Sequence, residues 1–124
     1  MDGGHTARAF NDAINRRDVA SLGELMTDDH AFIDSAGHAV SGRDAVLEAW
    51  TGFFRAFRDY RNVWSELELR GDTVVAIGHS VCATEAKLDG PAIWTATVRG
   101  GRVALWRVHD DTREHRVRLG LEPG

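Results

Sequence analysis

The chain has 124 residues, a net charge of −4 and charged residues at 27% of its positions, which is typical of a single soluble globular domain. The acidic balance argues against nucleic-acid binding, because that function needs a basic face to neutralise phosphates. A single cysteine, Cys82, excludes an internal disulfide and fits a reducing cytoplasm. The sequence contains neither an apolar run as long as a membrane span nor a signal peptide, so we expect a cytoplasmic protein with no membrane partner.

Three helices are predicted in the first half of the chain from apolar residues at spacings of three and four. They run from Thr6 to about Arg17, through Leu22 to Met26, and from about Gly42 to Phe57. Asp18 or Ser21 can cap the second helix. Ser41 and Asp44 resemble a capping box at the start of the third.

Strands dominate the second half. The alternating segments are Ala31–Ile33, Tyr60–Leu69, Thr73–Ala86, Ala92–Arg99 and Arg102 to about Asp111. Turn signals separate the last four, and Gly100 with Gly101 is a two-residue hairpin signal. This order predicts an α+β fold in which the helices pack on one face of a curved antiparallel sheet.

The hairpin predicts which side chains share a face of the sheet. If Arg99 pairs with Arg102 and the pairing is regular, directly opposed residues face the same way. One face then carries Ile93, Thr95, Thr97, Trp106, Val108 and Asp110. The other carries Trp94, Ala96, Val98, Leu105, Arg107 and His109. Because both faces contain tryptophan, we expect the helices to cover one and a second copy of the chain to cover the other, as a homodimer.

Asp34 is the first candidate functional residue. It follows the apolar segment 31–33 directly, with no cation beside it. Asp-Ser-Ala-Gly is good turn chemistry, so Asp34 can be a turn residue. Alternatively it is a catalytic base at the mouth of a pocket, where apolar neighbours would raise its pKa toward neutrality. His79, on a predicted strand, can be a second acid or base or a histidine bound to backbone.

Three segments together resemble the NTF2-like superfamily, in its SnoaL-like and ketosteroid-isomerase-like branch. They are "ARAFNDAINRRD", "LMTDDHAFIDSAGHAVSGRDAV" and "GGRVALWRVHDD". The resemblance implies a cone-shaped, cystatin-like fold, with three N-terminal helices packed on a curved antiparallel sheet around a pocket, and dimers formed through the sheet. It would make residues 1–112 one domain, followed by a short solvated tail at 113–124.

The resemblance carries over only part of a catalytic site. Asp34 falls where ketosteroid isomerases have their proton-shuttling Asp. Phe10 and Trp50 stand where those enzymes have tyrosines, and Thr95 stands at the position of their oxyanion-binding acid. Losing one such donor costs about 3–4 kcal/mol of transition-state stabilisation, so steroid isomerisation is not expected.

Other branches of the superfamily match less closely. Val108 replaces an Asp of epoxide-hydrolase-like members, and scytalone-dehydratase-like members need tyrosines that this chain lacks. SnoaL-like cyclases use an Asp or His without a metal, and Asp34 with Asp110 or His79 can supply such a pair.

We therefore predict a cofactor-independent isomerase, cyclase or dehydratase acting on a small hydrophobic carbonyl or polyketide-like compound. Asp34 would be the general base, assisted by His79 or by the strand threonines Thr95 and Thr97. The predicted pocket-lining residues are Phe10, Phe32, Trp50, Phe53, Thr95, Thr97, Trp106 and Asp110. No metal site is expected, because the histidines are scattered and no cysteine pair exists. The alternative is a non-catalytic ligand-binding or accessory domain.

Overall fold

The computed structural model describes residues 2–123. Within them the chain forms four α helices, six strands and a short 3₁₀ turn at Ala86–Leu88. The helices are α1 (Gly3–Arg16), α2 (Val19–Glu24), α3 (Arg43–Ala56) and α4 (Arg113–Arg118). The strands are β1 (Met26–Ile33), β2 (Ala39–Ser41), β3 (Arg61–Arg70), β4 (Thr73–Val81), β5 (Gly90–Arg99) and β6 (Arg102–Asp110). The predicted α+β class is confirmed.

All six strands form one sheet in the order β2-β1-β6-β5-β4-β3. Strands β3 to β6 make the predicted antiparallel meander. Strand β1 joins the meander in parallel with β6, and β2 folds back against β1. No helix among residues 2–123 is long and apolar enough to cross a membrane.

Aspartates start the first two helices. The Asp2 carboxylate accepts a hydrogen bond from the His5 backbone N–H, and Asp18 accepts one from Ser21, which satisfies N–H groups that have no partner inside the helix. The capping box predicted at the start of α3 does not form. Gly42 is the N-cap there, at φ 95°, without a side-chain hydrogen bond.

Element boundaries differ most where pairing depends on distant residues. Strand β1 begins at Met26 rather than at Ala31, because its first residues pair with β6. Strand β2 was not predicted. Strand β4 ends at Val81, since the chain then leaves the sheet through a loop and the 3₁₀ turn.

The predicted β5–β6 register is wrong by one residue beyond the start of the hairpin. Val98 pairs with Val103 as expected, but a bulge then places Thr97 opposite Leu105 and Thr95 opposite Arg107. Because of the extra residue, the side chains of β5 beyond the bulge share a face with different residues of β6 than the regular pairing predicts. Thr95 and Thr97 consequently face away from α1 and α3, so their predicted place in the pocket is wrong.

The same shift turns Trp94 inward, where only 1% of its surface is exposed. The core under α1 is an aromatic cluster: the ring centroids of Phe10 and Trp106 are 4.5 Å apart, and Trp64 lies 5.8 Å from Trp106 and 6.0 Å from Trp94. Burying large aromatic surfaces is the main stabilising contribution available to a domain of this size. Trp94 therefore shares the buried face with Trp106, whereas the regular register placed the two tryptophans on opposite faces.

A close approach of two strands explains Gly78. It pairs with Trp64 beside a bulge in β3. A Cβ atom on Gly78 would lie 2.1 Å from the carbonyl oxygen of Val63 and 2.8 Å from the Cα of Trp64. Only glycine allows this approach.

The C-terminal segment is docked on the sheet rather than being the solvated tail that we expected. Arg116 on α4 donates two hydrogen bonds to the carboxylate of Asp111, at 2.5 and 2.7 Å. At the far end of α4, Arg70 of β3 donates to the backbone carbonyls of Leu119 and Gly120, at 2.7 and 3.0 Å. These contacts hold α4 across the outer face of the sheet.

Candidate functional site

A cavity of about 460 Å³ lies between α3 and the inner face of the sheet, a volume in the range of small-molecule sites. We call it the inner cavity. Its walls come from β1, β2, α3, the 3₁₀ turn, and strands β4 to β6. The lining residues used below are Phe32, Asp34, Trp50, Phe53, Tyr60, Ser80, Lys87, Asp89, Trp106, Val108 and Asp110.

An aromatic wall forms one side of the inner cavity. Its members touch in succession: Phe32 lies 5.4 Å from Trp50, Trp50 lies 5.6 Å from Phe53, and Phe53 lies 4.8 Å from Tyr60, measured between ring centroids. The helical repeat puts Trp50 and Phe53 on the same side of α3. Trp106 projects into the cavity from the sheet, so the space between the aromatic wall and Trp106 suits a flat, largely apolar ligand.

Phe10 supports this cavity from behind. It is fully buried and packs against Trp106 at a tilt of 33°, but it does not reach the cavity wall. The prediction that Phe10 lines the pocket is therefore wrong, because Trp106 stands between them.

Asp34 lies at the cavity wall, just after β1 ends. One carboxylate oxygen accepts hydrogen bonds from the backbone N–H groups of Ala36 and His38, both at 2.9 Å. The other oxygen lies 3.3 Å from Nδ1 of His38, and 40% of the Asp34 side chain is exposed. Asp34 thus has the geometry of a turn residue and also faces the cavity.

Two further carboxylates and one cation line the cavity. Asp110 lies at the end of β6, and its carboxylate makes no hydrogen bond or ion pair within the part of the chain that the structure describes. The Asp89 carboxylate accepts the backbone N–H of Cys82 at 2.9 Å, and that bond, followed by the contact with His79, lowers the pKa of Asp89. Lys87, the single lysine of the sequence, lies beside Asp89.

His79 lies outside the inner cavity. It pairs with Pro91 on the outer face of β4, and its Nε2 atom is 3.4 Å from Asp89, with 49% of the side chain exposed. Its neighbour Ser80 faces the cavity instead and donates to the carbonyl of Leu88 at 2.7 Å. The predicted catalytic placement of His79 is therefore wrong, because alternate residues of a strand face opposite sides.

Tyr60 is the cavity residue that sequence reasoning missed. It is 7% exposed, and its burial raises the pKa of the phenol. The hydroxyl therefore remains protonated at any physiological pH and can donate a hydrogen bond. Its signal in the sequence is weak: it is the single tyrosine of the chain and stands directly before β3.

Two wall residues carry indole N–H groups without an acceptor. Nε1 of Trp50 and Nε1 of Trp106 are buried and have no hydrogen-bond partner among the described residues. Buried donors nearly always have a partner.

The loop beside the cavity is held by a carboxylate. Asp59 accepts hydrogen bonds from the backbone N–H of Ala83, at 2.7 Å, and from the hydroxyl of Thr84, at 2.8 Å. The bond from Thr84 is the largest cause of the lowered pKa of Asp59. This connection leads directly into the 3₁₀ turn, which carries Lys87 at the cavity edge.

Residues 7–106 match the SnoaL-like domain family. None of the curated proteins compared with this chain matches it. Many solved structures share the fold. A proposed polyketide cyclase from Sinorhizobium meliloti is 20% identical, over 85% of this chain and 94% of that one, with a TM-score of 0.76.

A proposed ketosteroid isomerase from Kribbella flavida is 16% identical over 91% of this chain and 85% of that one, with a TM-score of 0.74. A Xanthomonas campestris protein of unknown function with a cystatin-like fold is 15% identical over 92% and 94%, with a TM-score of 0.78. At these identities the likeness concerns the fold alone.

Proposed function

This chain belongs to the SnoaL-like domain family, and on that premise we propose that it is a cofactor-independent enzyme that moves a proton on a small, flat, largely apolar carbonyl compound. The NTF2-like fold of the family hosts isomerases and cyclases, and a polyketide-like substrate fits the aromatic cavity. One observation carries the proposal: a carboxylate, Asp34, and a protonated phenol, Tyr60, line the same cavity.

In the proposed reaction, Asp34 takes a proton from the carbon next to the substrate carbonyl. The electron pair of that C–H bond moves onto the carbonyl oxygen, and Tyr60 donates a hydrogen bond to the developing negative charge. Return of the proton from Asp34 to another carbon gives isomerisation. Alternatively, the enolate carbon attacks a second carbonyl of the same substrate, and Asp34 returns its proton to the alkoxide oxygen that forms, which gives cyclisation.

The oxygen donor of this scheme differs from the ones expected from the family resemblance. Phe10, Trp50 and Thr95 at the family positions supply no hydroxyl near the reacting oxygen, and Thr95 faces the opposite side of the sheet. In the proposal Tyr60, which directly precedes β3, is the hydrogen-bond donor to that oxygen.

A non-catalytic ligand-binding domain is the second candidate, and one observation favours it. One oxygen of Asp34 already accepts two backbone hydrogen bonds in a turn, which is sufficient reason for an aspartate at this position. The inner cavity would then hold a ligand without transforming it.

The test is hydrogen–deuterium exchange at the α-carbon of a bicyclic aromatic ketone such as 2-tetralone, followed by proton NMR in deuterated buffer. We expect the wild-type protein to accelerate exchange. Asp34→Asn should remove the acceleration while keeping the turn, since asparagine accepts the same backbone hydrogen bonds. Tyr60→Phe should slow exchange by about 10²-fold, the usual effect of losing one oxyanion donor. Asp12→Asn, on the exposed side of α1, is the matched control.

The outcomes separate the two candidates. If Asp34→Asn exchanges the ketone as fast as wild type does, Asp34 is not the base. The ketone could also change the tryptophan fluorescence of the cavity while the wild-type protein accelerates exchange neither of this ketone nor of related carbonyl compounds. That result would favour the ligand-binding function.

Association into a homodimer remains a prediction. Helix α4 covers part of the outer sheet face, and Val75 and Ile93 on that face are 3% and 0% exposed in the single chain. Among residues 2–123, the large apolar side chains that remain exposed are Val63 and Leu69, on the edge strand β3. Light scattering at micromolar concentration should give the mass of two chains, and a monomer mass would contradict the prediction.

A further inference from the structure

A second depression lies on the other side of the sheet, between α4 and the outer ends of the strands. Its volume is about 350 Å³, and we call it the rear cleft. The lining residues are Thr73, Thr95, Thr97, Leu105, Arg107, His109, His115, Arg118 and Leu119. The proposed reaction does not use it, and it lies on the sheet face through which the family resemblance implies that dimers form.

The sheet contributes a row of hydroxyls and basic groups to the rear cleft. Thr97 pairs with Thr73 on one side and with Leu105 on the other, while Thr95 pairs with Arg107. The bulge in the hairpin is what aligns these side chains on one face. The hydroxyl of Thr95 lies 3.0 Å from Nε2 of His109.

Helix α4 contributes the roof of the rear cleft. The ring of His115 is 5.8 Å from that of His109, and its Nδ1 atom contacts the carbonyl of Asp110 at 2.6 Å. That contact leaves the Nε2 atom of His115 without a partner among the described residues. The clamps made by Arg116 and Arg70 at the two ends of α4 fix this roof on the sheet.

The charge of the rear cleft is unbalanced. Two arginines and two histidines line it, and no carboxylate among the described residues does. Arg107 makes no ion pair within residues 2–123, and Arg118 pairs only with Glu114, in a surface contact of 2.8 Å that stabilises little. Burial first, and then the positive charges of Arg107 and its neighbours on α4, lower the pKa of His109 to about 4.

From this geometry we propose that the rear cleft binds a tetrahedral oxyanion, of the phosphate monoester class. Arg107 and Arg118 would bind the oxyanion through charge-assisted hydrogen bonds, and the threonine hydroxyls would donate to its remaining oxygens. Leu105 and Leu119 supply an apolar edge, which suits an ester of a small apolar alcohol or phenol. The site lies on the opposite face of the sheet from the inner cavity and is independent of the proposed reaction.

Phenyl phosphate is the probe, and the imidazole Cε1–H resonances of the full chain are the readout. At pH 7 we expect a saturable shift of the His109 and His115 signals. With phenyl phosphate bound, the apparent pKa of His109 should rise by at least about one unit, because a neighbouring anion favours the protonated ring. The groups that face His109 are Arg107 on its own strand, and His115 and Arg118 on α4.

Arg107→Gln should weaken phenyl phosphate binding by about tenfold or more, the usual effect of losing a hydrogen bond between charged partners. Arg102→Gln, an exposed arginine of the same strand outside the rear cleft, is the matched control and should bind as wild type does. If Arg107→Gln does not fold, Arg118→Gln provides the same comparison.

Three results would overturn the proposal. One is the absence of any shift of His109 or His115 with phenyl phosphate. Another is equal weakening by Arg107→Gln and Arg102→Gln, which would mean general attraction of an anion to a basic surface. The third is binding that phenol reproduces without the phosphate, which would mean an apolar ligand.

Discussion

Replacing Gly78 with alanine should destabilise the fold strongly. The new Cβ would lie 2.1 Å from the carbonyl oxygen of Val63, whereas carbon–oxygen contacts between strands are normally about 3.3 Å or longer. Strands β3 and β4 must therefore separate by about 1 Å, which costs about 1–3 kcal/mol as overpacking. A weakened backbone hydrogen bond adds about 1 kcal/mol, so we expect a total loss of about 3 kcal/mol.

Urea unfolding followed by tryptophan fluorescence measures this loss, and the melting temperature should fall by about 10 °C for a domain of this size. Gly52→Ala is the matched control, because Gly52 lies inside α3 and a Cβ there meets no atom within 4 Å. That variant should gain about 0.5–1 kcal/mol from the better helix propensity of alanine. A Gly78→Ala variant within about 0.5 kcal/mol of wild type would refute the inferred close packing at the bulge.

The remaining predictions concern pH, α4 and the free thiol. Burial lowers the pKa of His30, so the unfolded chain binds more protons than the folded one below about pH 6.5, and the free energy of unfolding should fall there. Urea midpoints at pH 7.5 and 5.5 should show this fall. The fall should be smaller in His30→Gln and unchanged in His5→Gln. Arg116→Met should speed amide hydrogen exchange in α4 with little change elsewhere. Arg113→Met removes an exposed side chain and should not speed it. Equal exchange in the two variants would contradict the inference that the Arg116–Asp111 contact holds α4 in place. Cys82 is 1% exposed, so a thiol reagent should modify it at a rate that rises with urea, and immediate modification in buffer would contradict its burial.

Local patterns were sufficient for α1, α2 and α3 and for the order of strands β3 to β6. Helical spacing identified the buried side of α1, with Phe10 and Ile14 fully buried, because that periodicity is a property of one segment alone. The glycine pair at 100 and 101 identified the last hairpin for the same reason.

Local sequence patterns identified only part of the candidate site. Asp34 was identified because it ends an apolar segment, and it does line the inner cavity. Tyr60 was not, because its place in the cavity depends on contact with Phe53 of a different element. No local pattern marks a residue whose surroundings come from distant parts of the chain.

The sequence by itself determined the fold family, α1 to α3 and the antiparallel meander, since these follow from periodicity, turn residues and family segments. Only the tertiary structure decided which side of the sheet each residue of β5 and β6 faces. A single extra residue at the hairpin bulge moved Thr95 and Thr97 from the inner cavity to the rear cleft, because strand register is fixed by pairing and core packing rather than by the alternation itself. Likewise, the docking of α4 depends on Arg70, which lies 49 residues before its acceptor Leu119, and such a long-range pair has no signature in either segment alone.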